Sequence, residues 1–204
     1  MTSLTALALT CSLKPSPAPS SSDLIADQVL AELQKYDVVA EKIRLVDFDI
    51  RPGVEADMGN GDQWPQIRDR IHAADIVVIS TPTWLGQMSS VAKRALERLD
   101  AELSETDDRD RPILFGKVAV AAVVGNEDGA HAIVASLFQA LDDCGFSIPA
   151  QGCTYWNGEA MTPGDYNDLE TIPDAVASTN ATAARNAAHL ARLLRSQPYP
   201  TAQS

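Results

Sequence analysis

The sequence predicts an α/β protein in which five parallel strands form one sheet with helices on both faces. Short apolar runs alternate with longer segments of helical periodicity along the 204-residue chain. The runs at 4–11, 76–80 and 117–124 are continuously apolar or β-branched, which is typical of strands buried on both faces. Because strands that alternate with helices usually pair in parallel, the pattern favours a doubly wound sheet.

Weaker segments complete the predicted fold. Residues 42–47 alternate in polarity and are expected to form a strand near the sheet edge, and residues 147–149 a short fifth strand. The predicted helices are the segment that follows the N-cap candidates at 20–23, then 64–74, 88–102, 130–143 and 173–196. We expect one domain over residues 1–197 and a C-terminal tail over 198–204.

The charge of the chain argues against several classes of partner. A net charge of −12 disfavours nucleic acid and anionic membranes, because neutralising phosphates requires clustered Lys and Arg. Part of the acidity lies at 97–110, which we interpret as a solvated helix end and loop, the alternative being an acidic docking surface.

The apolar start lacks a basic segment and predicts a buried strand rather than a signal peptide, so the cytoplasm is the expected compartment. Three cysteines without ligand spacing predict neither a disulfide framework nor a metal site.

In doubly wound sheets, ligands bind outside the carboxyl ends of the strands, where the strand order reverses. The first loop there, residues 10–23, precedes a helix whose free N–H groups attract an anion. It lacks the glycine motifs of dinucleotide-binding and P-loop proteins. Its donors predict a phosphate site; the alternative is a polar turn with an N-cap. These donors are Ser12, Lys14, Ser20, Ser21 and Ser22.

The most specific motif is STPTWLGQMSSVAKRALERL at residues 80–99. Trp84 lies between Pro82 and Gly86, directly after a buried strand. A flat heteroaromatic ring needs close backbone approach, exposed N–H groups and an aromatic contact, and this loop offers all three. The alternatives are that Trp84 packs in the core and that Gly86 and Ser89 form a turn and an N-cap.

This segment resembles the NADPH-dependent FMN reductase family, within the flavodoxin-like flavoproteins. The matching positions are Pro82, Thr83, Trp84, Gly86, Ser89, Lys93, Glu97, Arg98 and Leu99. The resemblance implies a flavodoxin-like fold and an FMN whose phosphate is held by the donors of the first loop. It also implies contacts of the flavin with residues 82–87, namely Pro82, Thr83, Trp84, Leu85, Gly86 and Gln87. The first loop departs from the family pattern in Pro15, Pro17 and Pro19.

Two further segments are candidates for contact with the flavin. In residues 124–132, Gly125 and Gly129 permit close backbone approach, and the side chain of Asn126 is suited to the pyrimidine edge of a flavin. The neighbouring acids Glu127 and Asp128 are expected only to shape the helix start. In residues 151–168, the aromatic side chains are expected in a loop that either approaches the flavin or packs on the surface.

The resemblance implies an oxidoreductase that passes hydride from NADPH or NADH through FMN to a quinone, free flavin or another small acceptor. No catalytic residue is expected from the protein itself, because the flavin carries the redox chemistry. The alternatives are a flavodoxin-type electron carrier without a site for NAD(P)H and a domain that binds no flavin. The family further implies a homodimer or homotetramer.

Overall fold

A computed structural model describes residues 3–159 and 162–201 and confirms the predicted fold class. The parallel strands are β1 (Leu4–Thr10), β2 (Val38–Arg44), β3 (Ile76–Trp84), β5 (Val118–Gly125) and β6 (Cys153–Asn157), and a short β4 (Gln87–Met88) pairs antiparallel with β3. The helices are α1 (Ser21–Gln34), α2 (Trp64–Ala73), α3 (Ser90–Leu99), α4 (Ala130–Asp143) and α5 (Asp174–Ser196). The sheet order is β2-β1-β3-β5-β6, which is the doubly wound order of flavodoxin-like folds.

Each face of the sheet carries its own hydrophobic core. Side chains alternate along β1, so that Leu7 and Leu9 pack with α2, α3 and α4 while Ala6 and Ala8 pack with α1 and α5. This alternation follows from the period of two residues in a strand. The central strands are buried on both sides, which explains their continuously apolar sequence.

Two strands differ from the prediction. The second strand spans Val38–Arg44 rather than 42–47, because β2 pairs with β1 from Leu4↔Val38 onward and residues Leu45–Asp47 turn into a short 3-10 helix. The predicted fifth strand at 147–149 is wrong: Ser147 makes only an isolated bridge with Val118, and Pro149 has no N–H to continue the ladder. The fifth parallel strand is β6, so Tyr155 and Trp156 lie on a strand and not in a loop.

Boundaries at two other places also differ. The helix predicted at 88–102 begins at Ser90 and ends at Leu99, because residues 87–88 pair with β3 and residues Asp100–Ser104 form a 3-10 helix. Beyond α5, the ring of Tyr199 packs edge-on against Phe115, with 5.4 Å between ring centroids. The domain limit at 197 stays a prediction.

In the described part of the chain, no helix is long and apolar enough to cross a membrane.

Arg98 organises the loop that follows β2. Its guanidinium is fully buried and pairs with Asp62 at 2.7 Å, and it also donates to the carbonyl oxygens of Arg51, Glu55 and Ala56. Burial raises the pKa of Asp62, but backbone hydrogen bonds and the guanidinium outweigh it and lower that pKa to about 2. The matched Arg of the family motif is therefore a structural residue that fixes the 51–62 segment.

We expect Arg98→Ala to lower the free energy of unfolding by about 3–5 kcal/mol, because it leaves the Asp62 carboxylate buried without its cation. Urea unfolding measures the change. Lys93→Ala on the same helix is the control, since Lys93 is exposed and lies 4.0 Å from Glu97, and it should cost less than about 0.5 kcal/mol. Equal unfolding midpoints for the two variants would contradict the assignment.

Candidate functional site

A cleft lies at the carboxyl ends of the strands, where the chain order reverses between β1 and β3. Ten of the fourteen predicted site residues line it: Ser12, Lys14, Ser20, Ser21, Ser22, Pro82, Thr83, Trp84, Gly125 and Asn126. The other four, Leu85, Gly86, Gln87 and Gly129, lie outside the lining. Residues that the sequence did not assign to the site also line the cleft: Leu13, Val124, Glu127, Trp156, Asp165 and Tyr166.

The N-terminus of α1 forms one end of the cleft. Ser20 is the N-cap, and its hydroxyl accepts from the N–H of Asp23 and lies 2.9 Å from the hydroxyl of Ser22. The N–H groups of Ser21 and Ser22 find no acceptor among residues 3–159 and 162–201, as the geometry of a first helical turn requires. This end of the cleft therefore presents hydroxyl and N–H donors together with the ammonium of Lys14.

The acidic residue in the first turn of α1 does not oppose an anion there. Asp23 is paired with Lys42 at 2.8 Å and with Arg44 at 3.1 Å. Burial raises the pKa of Asp23, but the hydrogen bonds and charges of the two cations outweigh burial and hold this pKa below its usual value. Within its first turn, the positive end of the α1 dipole thus has no unpaired carboxylate.

Arg44 also holds the first loop in place. Its side chain is 8% exposed, and its guanidinium donates to the carbonyl oxygens of Lys14 and Ala18, at 3.2 and 2.8 Å. The N–H and the hydroxyl of Ser16 donate to the carboxylate of Asp47 at 2.8 and 2.6 Å. The proline-containing loop is therefore bonded at several points to the last residue of β2 and to the short 3-10 helix after it.

The second loop is a tight hairpin. Strand β3 continues to Trp84, and the pairs Thr83↔Met88 and Trp84↔Gln87 flank a two-residue turn. Leu85 and Gly86 have φ of 52° and 72°, the left-handed values that such a turn requires. Leu85 at the tip is 91% exposed and Trp84 is 54% exposed, so the hairpin carries its apolar side chains into solvent beside the cleft.

Glu127 fastens the tip of this hairpin. Its carboxylate accepts a hydrogen bond from the N–H of Leu85 at 2.6 Å, whereas Asp128 accepts from the N–H of the adjacent Gly129. A side chain on Gly129 would lie 2.8 Å from the Cα of Gly86, so glycine there lets the start of α4 touch the turn. The expectation that Glu127 only shapes the helix start was wrong. The sequence does not show that the 83–88 hairpin lies against Glu127.

Two serines tie the remaining loops together. The hydroxyl of Ser89 donates to the carbonyl of Cys11 at 2.7 Å and accepts from the N–H of Ala92, which confirms Ser89 as the N-cap of α3. The hydroxyl of Ser80 donates to the carbonyl of Ser22 at 2.6 Å. The ends of β1 and β3 and the start of α1 are therefore held in fixed relative positions.

Thr83, one of the residues that line the cleft, has a buried polar group without a partner among the described residues. The residue is 5% exposed, and its Oγ1 has no hydrogen-bond partner within the described part of the chain. A side chain on Gly125 would lie 2.7 Å from the Cβ of Thr83, so glycine at 125 leaves this space open. Because buried hydroxyl groups are normally bonded, this hydroxyl is a candidate to bond a polar group of a ligand.

An aromatic wall closes the side of the cleft next to β6. The rings of Trp156 and Tyr166 have centroids 5.4 Å apart, and the hydroxyl of Tyr166 donates to Gln28 on α1 at 2.6 Å. Burial raises the pKa of Tyr166, so the hydroxyl stays a donor. The sequence singled out this aromatic segment but did not assign it to the site, since the strand that positions Trp156 was predicted elsewhere. The neighbouring ring of Tyr155 packs edge-on against His131, and neither residue lines the cleft.

The chain belongs to the NADPH-dependent FMN reductase family, whose model matches residues 4–160. It is 32% identical over 210 residues to 8-demethyl-8-aminoriboflavin-5′-phosphate synthase of Streptomyces davaonensis, covering 97% of this chain and 81% of that protein. A solved structure of RosB with bound 8-demethyl-8-formylriboflavin-5′-phosphate has a TM-score of 0.87 and 31% identity, covering 96% and 82% of the two chains.

A third relative shares only part of its length with this chain. The divalent metal cation transporter MntH of Mycobacterium bovis is 34% identical over 169 residues, which are 81% of this chain and 25% of that protein. The chain thus spans about a quarter of that relative. By family, the protein is an FMN-dependent oxidoreductase.

The residues of the cleft fit an FMN. The unpartnered hydroxyl of Thr83 lies next to the space kept open by Gly125. Hydroxyl groups, free N–H groups and one ammonium gather at the other end, which suits a phosphate monoester.

We expect Glu127→Ala to release the hairpin tip, because it removes the acceptor of the Leu85 N–H. Hydrogen–deuterium exchange of that amide, followed by NMR, should accelerate by about tenfold. Glu127→Gln keeps an acceptor oxygen and should exchange nearly as slowly as the parent protein. Asp128→Ala is the control, and an equal acceleration in that variant would show that the contact with Glu127 does not hold the tip.

Proposed function

We propose that the cleft binds FMN and that the protein transfers hydride from NADPH or NADH through this flavin to a quinone, free flavin or another small acceptor. The buried, unpartnered hydroxyl of Thr83 carries the proposal, because it lies in a cleft that also holds the donors at the start of α1. The family match supports the class of reaction.

In this proposal the two ends of the cleft have different tasks. Ser12, Lys14 and the serines 20–22 hold the phosphate, with the N–H groups of the first helical turn as further donors. Residues 82–84 together with Gly125 and Asn126 contact the ring system and its ribityl chain, and Thr83 supplies a hydroxyl to a polar group of the flavin. Leu85, Gly86, Gln87 and Gly129 then shape the hairpin and its support instead of touching the ligand.

The bound flavin would supply the redox chemistry, so the chain needs no nucleophile or general base of its own. Its residues orient the ring, neutralise the phosphate and leave room for a second molecule. Trp84 is half exposed at the cleft mouth, where a hydride donor or acceptor would enter. The pairing of Asp23 with Lys42 and Arg44 keeps that carboxylate from opposing the phosphate.

The first test is reduction by a nicotinamide nucleotide. The purified protein should carry yellow flavin, and anaerobic stopped-flow mixing with excess NADPH or NADH should bleach the flavin absorbance. A flavin that stays oxidised with both nucleotides would leave a flavodoxin-type electron carrier as the function. Protein that neither retains nor binds flavin would remove both proposals.

A second candidate function is chemical modification of the flavin itself. It is supported by the 32% identity with a synthase of an aminoriboflavin phosphate, over 97% of this chain. Here the flavin phosphate is the substrate and occupies the same cleft. Mass spectrometry of the flavin extracted after incubation distinguishes the two, since the reductase returns FMN of unchanged mass and a modifying enzyme does not.

We expect Thr83→Val to weaken FMN binding by about tenfold, because valine keeps the shape of the side chain and removes one hydrogen bond. Titration of the apoprotein by isothermal calorimetry measures this. Thr154→Val is the matched control: Thr154 is also buried, but its hydroxyl bonds to Thr179 and the residue lies outside the cleft lining. Unchanged affinity in the Thr83 variant would remove the contact from the proposal.

We also propose that the protein acts as a homodimer or homotetramer in the cytoplasm. Leu13 and Leu85 expose apolar surface beside the cleft mouth, which a second copy of the chain would cover. Analytical ultracentrifugation of the protein tests the oligomeric state.

A further inference from the structure

Three charged side chains line the cleft within the described residues, and they lie on different loops. They are one cation, Lys14, and two carboxylates, Glu127 and Asp165. Lys14 belongs to the first loop, and Asp165 belongs to the turn that is bonded to the start of α1 through Asn167. Glu127 belongs instead to the loop that follows β5. The end of the cleft at this loop therefore has a charge of its own.

The carboxylate of Glu127 lies where the second and third loops meet. It accepts the N–H of Leu85 at 2.6 Å, which holds it against the hairpin that continues from residues 82–84. Its own backbone directly follows residues 125–126, and the residue is half-buried. These two short segments are the ones to which the proposed function assigns the flavin ring. A half-buried carboxylate is thus fixed at the end of the cleft that would take the ring.

The cation of the lining belongs to the other end. The carbonyl of Lys14 is bonded to Arg44, the last residue of β2, whereas Glu127 follows β5. In the sheet order β2-β1-β3-β5 these two strands are three spacings apart, which is about 14 Å. Within the described ranges no Lys or Arg forms a salt bridge with Glu127. Its negative charge therefore has a hydrogen bond from a backbone N–H but no paired cation.

Reduction changes the charge of a flavin. Hydride transfer from a nicotinamide nucleotide moves two electrons and one proton to the ring and leaves the nucleotide oxidised. The ring then carries one additional negative charge unless it takes up a second proton from solvent. A fixed carboxylate nearby raises the free energy of this charged form and affects the neutral oxidised ring much less.

We propose that Glu127 tunes the reduction potential of the site, because its charge weakens the binding of reduced FMN relative to oxidised FMN. This inference rests on the proposed binding of FMN in the cleft, with its ring at residues 82–84 and 125–126. The hydrogen bond to Leu85 fixes the carboxylate beside that ring, so one side chain both holds the hairpin and sets the local field. The lowered potential makes the bound, reduced flavin a stronger reductant toward its acceptor.

Glu127→Gln separates the two roles of this side chain, because the amide keeps an acceptor oxygen for the N–H of Leu85 and removes the charge. Anaerobic equilibration with a reference dye measures the reduction potential of the bound flavin. We expect the ratio of the affinities for reduced and oxidised FMN to rise about tenfold, which raises the two-electron potential by about 30 mV. The affinity of the apoprotein for oxidised FMN, measured by fluorescence titration, should change by less than about threefold.

Asp128→Asn is the matched control. It removes a carboxylate from the adjacent residue, but that side chain is exposed, bonds to the N–H of Gly129 and does not line the cleft. It should change the same ratio of affinities by less than about twofold. An unchanged or lower potential in the Glu127 variant, or an equal rise in the Asp128 variant, would overturn the tuning role. Failure of the parent protein to bind FMN would instead overturn the proposed function.

Discussion

The reversal of strand order between β1 and β3 is the constraint on which the site depends. Since β2 lies on one side of β1 and β3 on the other, the helices that follow β1 and β3 pack on opposite faces of the sheet and leave a crevice between their starts. The hydroxyls of Ser80 and Ser89 bridge this crevice to the carbonyls of Ser22 and Cys11. These two hydrogen bonds fix the relative positions of the segments on either side of the crevice.

Local charge pairing lets an acidic chain offer an anion site. The net charge of −12 works against phosphate binding at long range, but it is the groups within a few ångströms that decide the local field. Lys42 and Arg44 neutralise Asp23, which leaves the helix dipole and Lys14 to act at the cleft. The loop needs no glycine for this, because its hydroxyls and the first helical turn supply the donors.

Doubly buried strands and the loops that follow them could be predicted from the sequence, and edge elements could not. The strands β1, β3 and β5 are read directly from their continuous apolar runs, and the loops that follow them contain all ten predicted residues that line the cleft. Strand β6 is short, polar at Thr154 and bordered by Pro149, so its place, and with it Trp156, was missed. The contact of Glu127 was missed because it depends on a left-handed backbone at Leu85, for which the residue type gives no signal.

The prolines of the first loop bear on how a ligand meets this site. Pro15, Pro17 and Pro19 each restrict φ, and the carbonyls of Lys14 and Ala18 between and beside them are bonded to Arg44. A loop that is stiff and already bonded loses little conformational entropy when a ligand arrives. Ligand binding at this end of the cleft is then the docking of a molecule onto a surface that already has its final shape, rather than the ordering of a mobile loop around it.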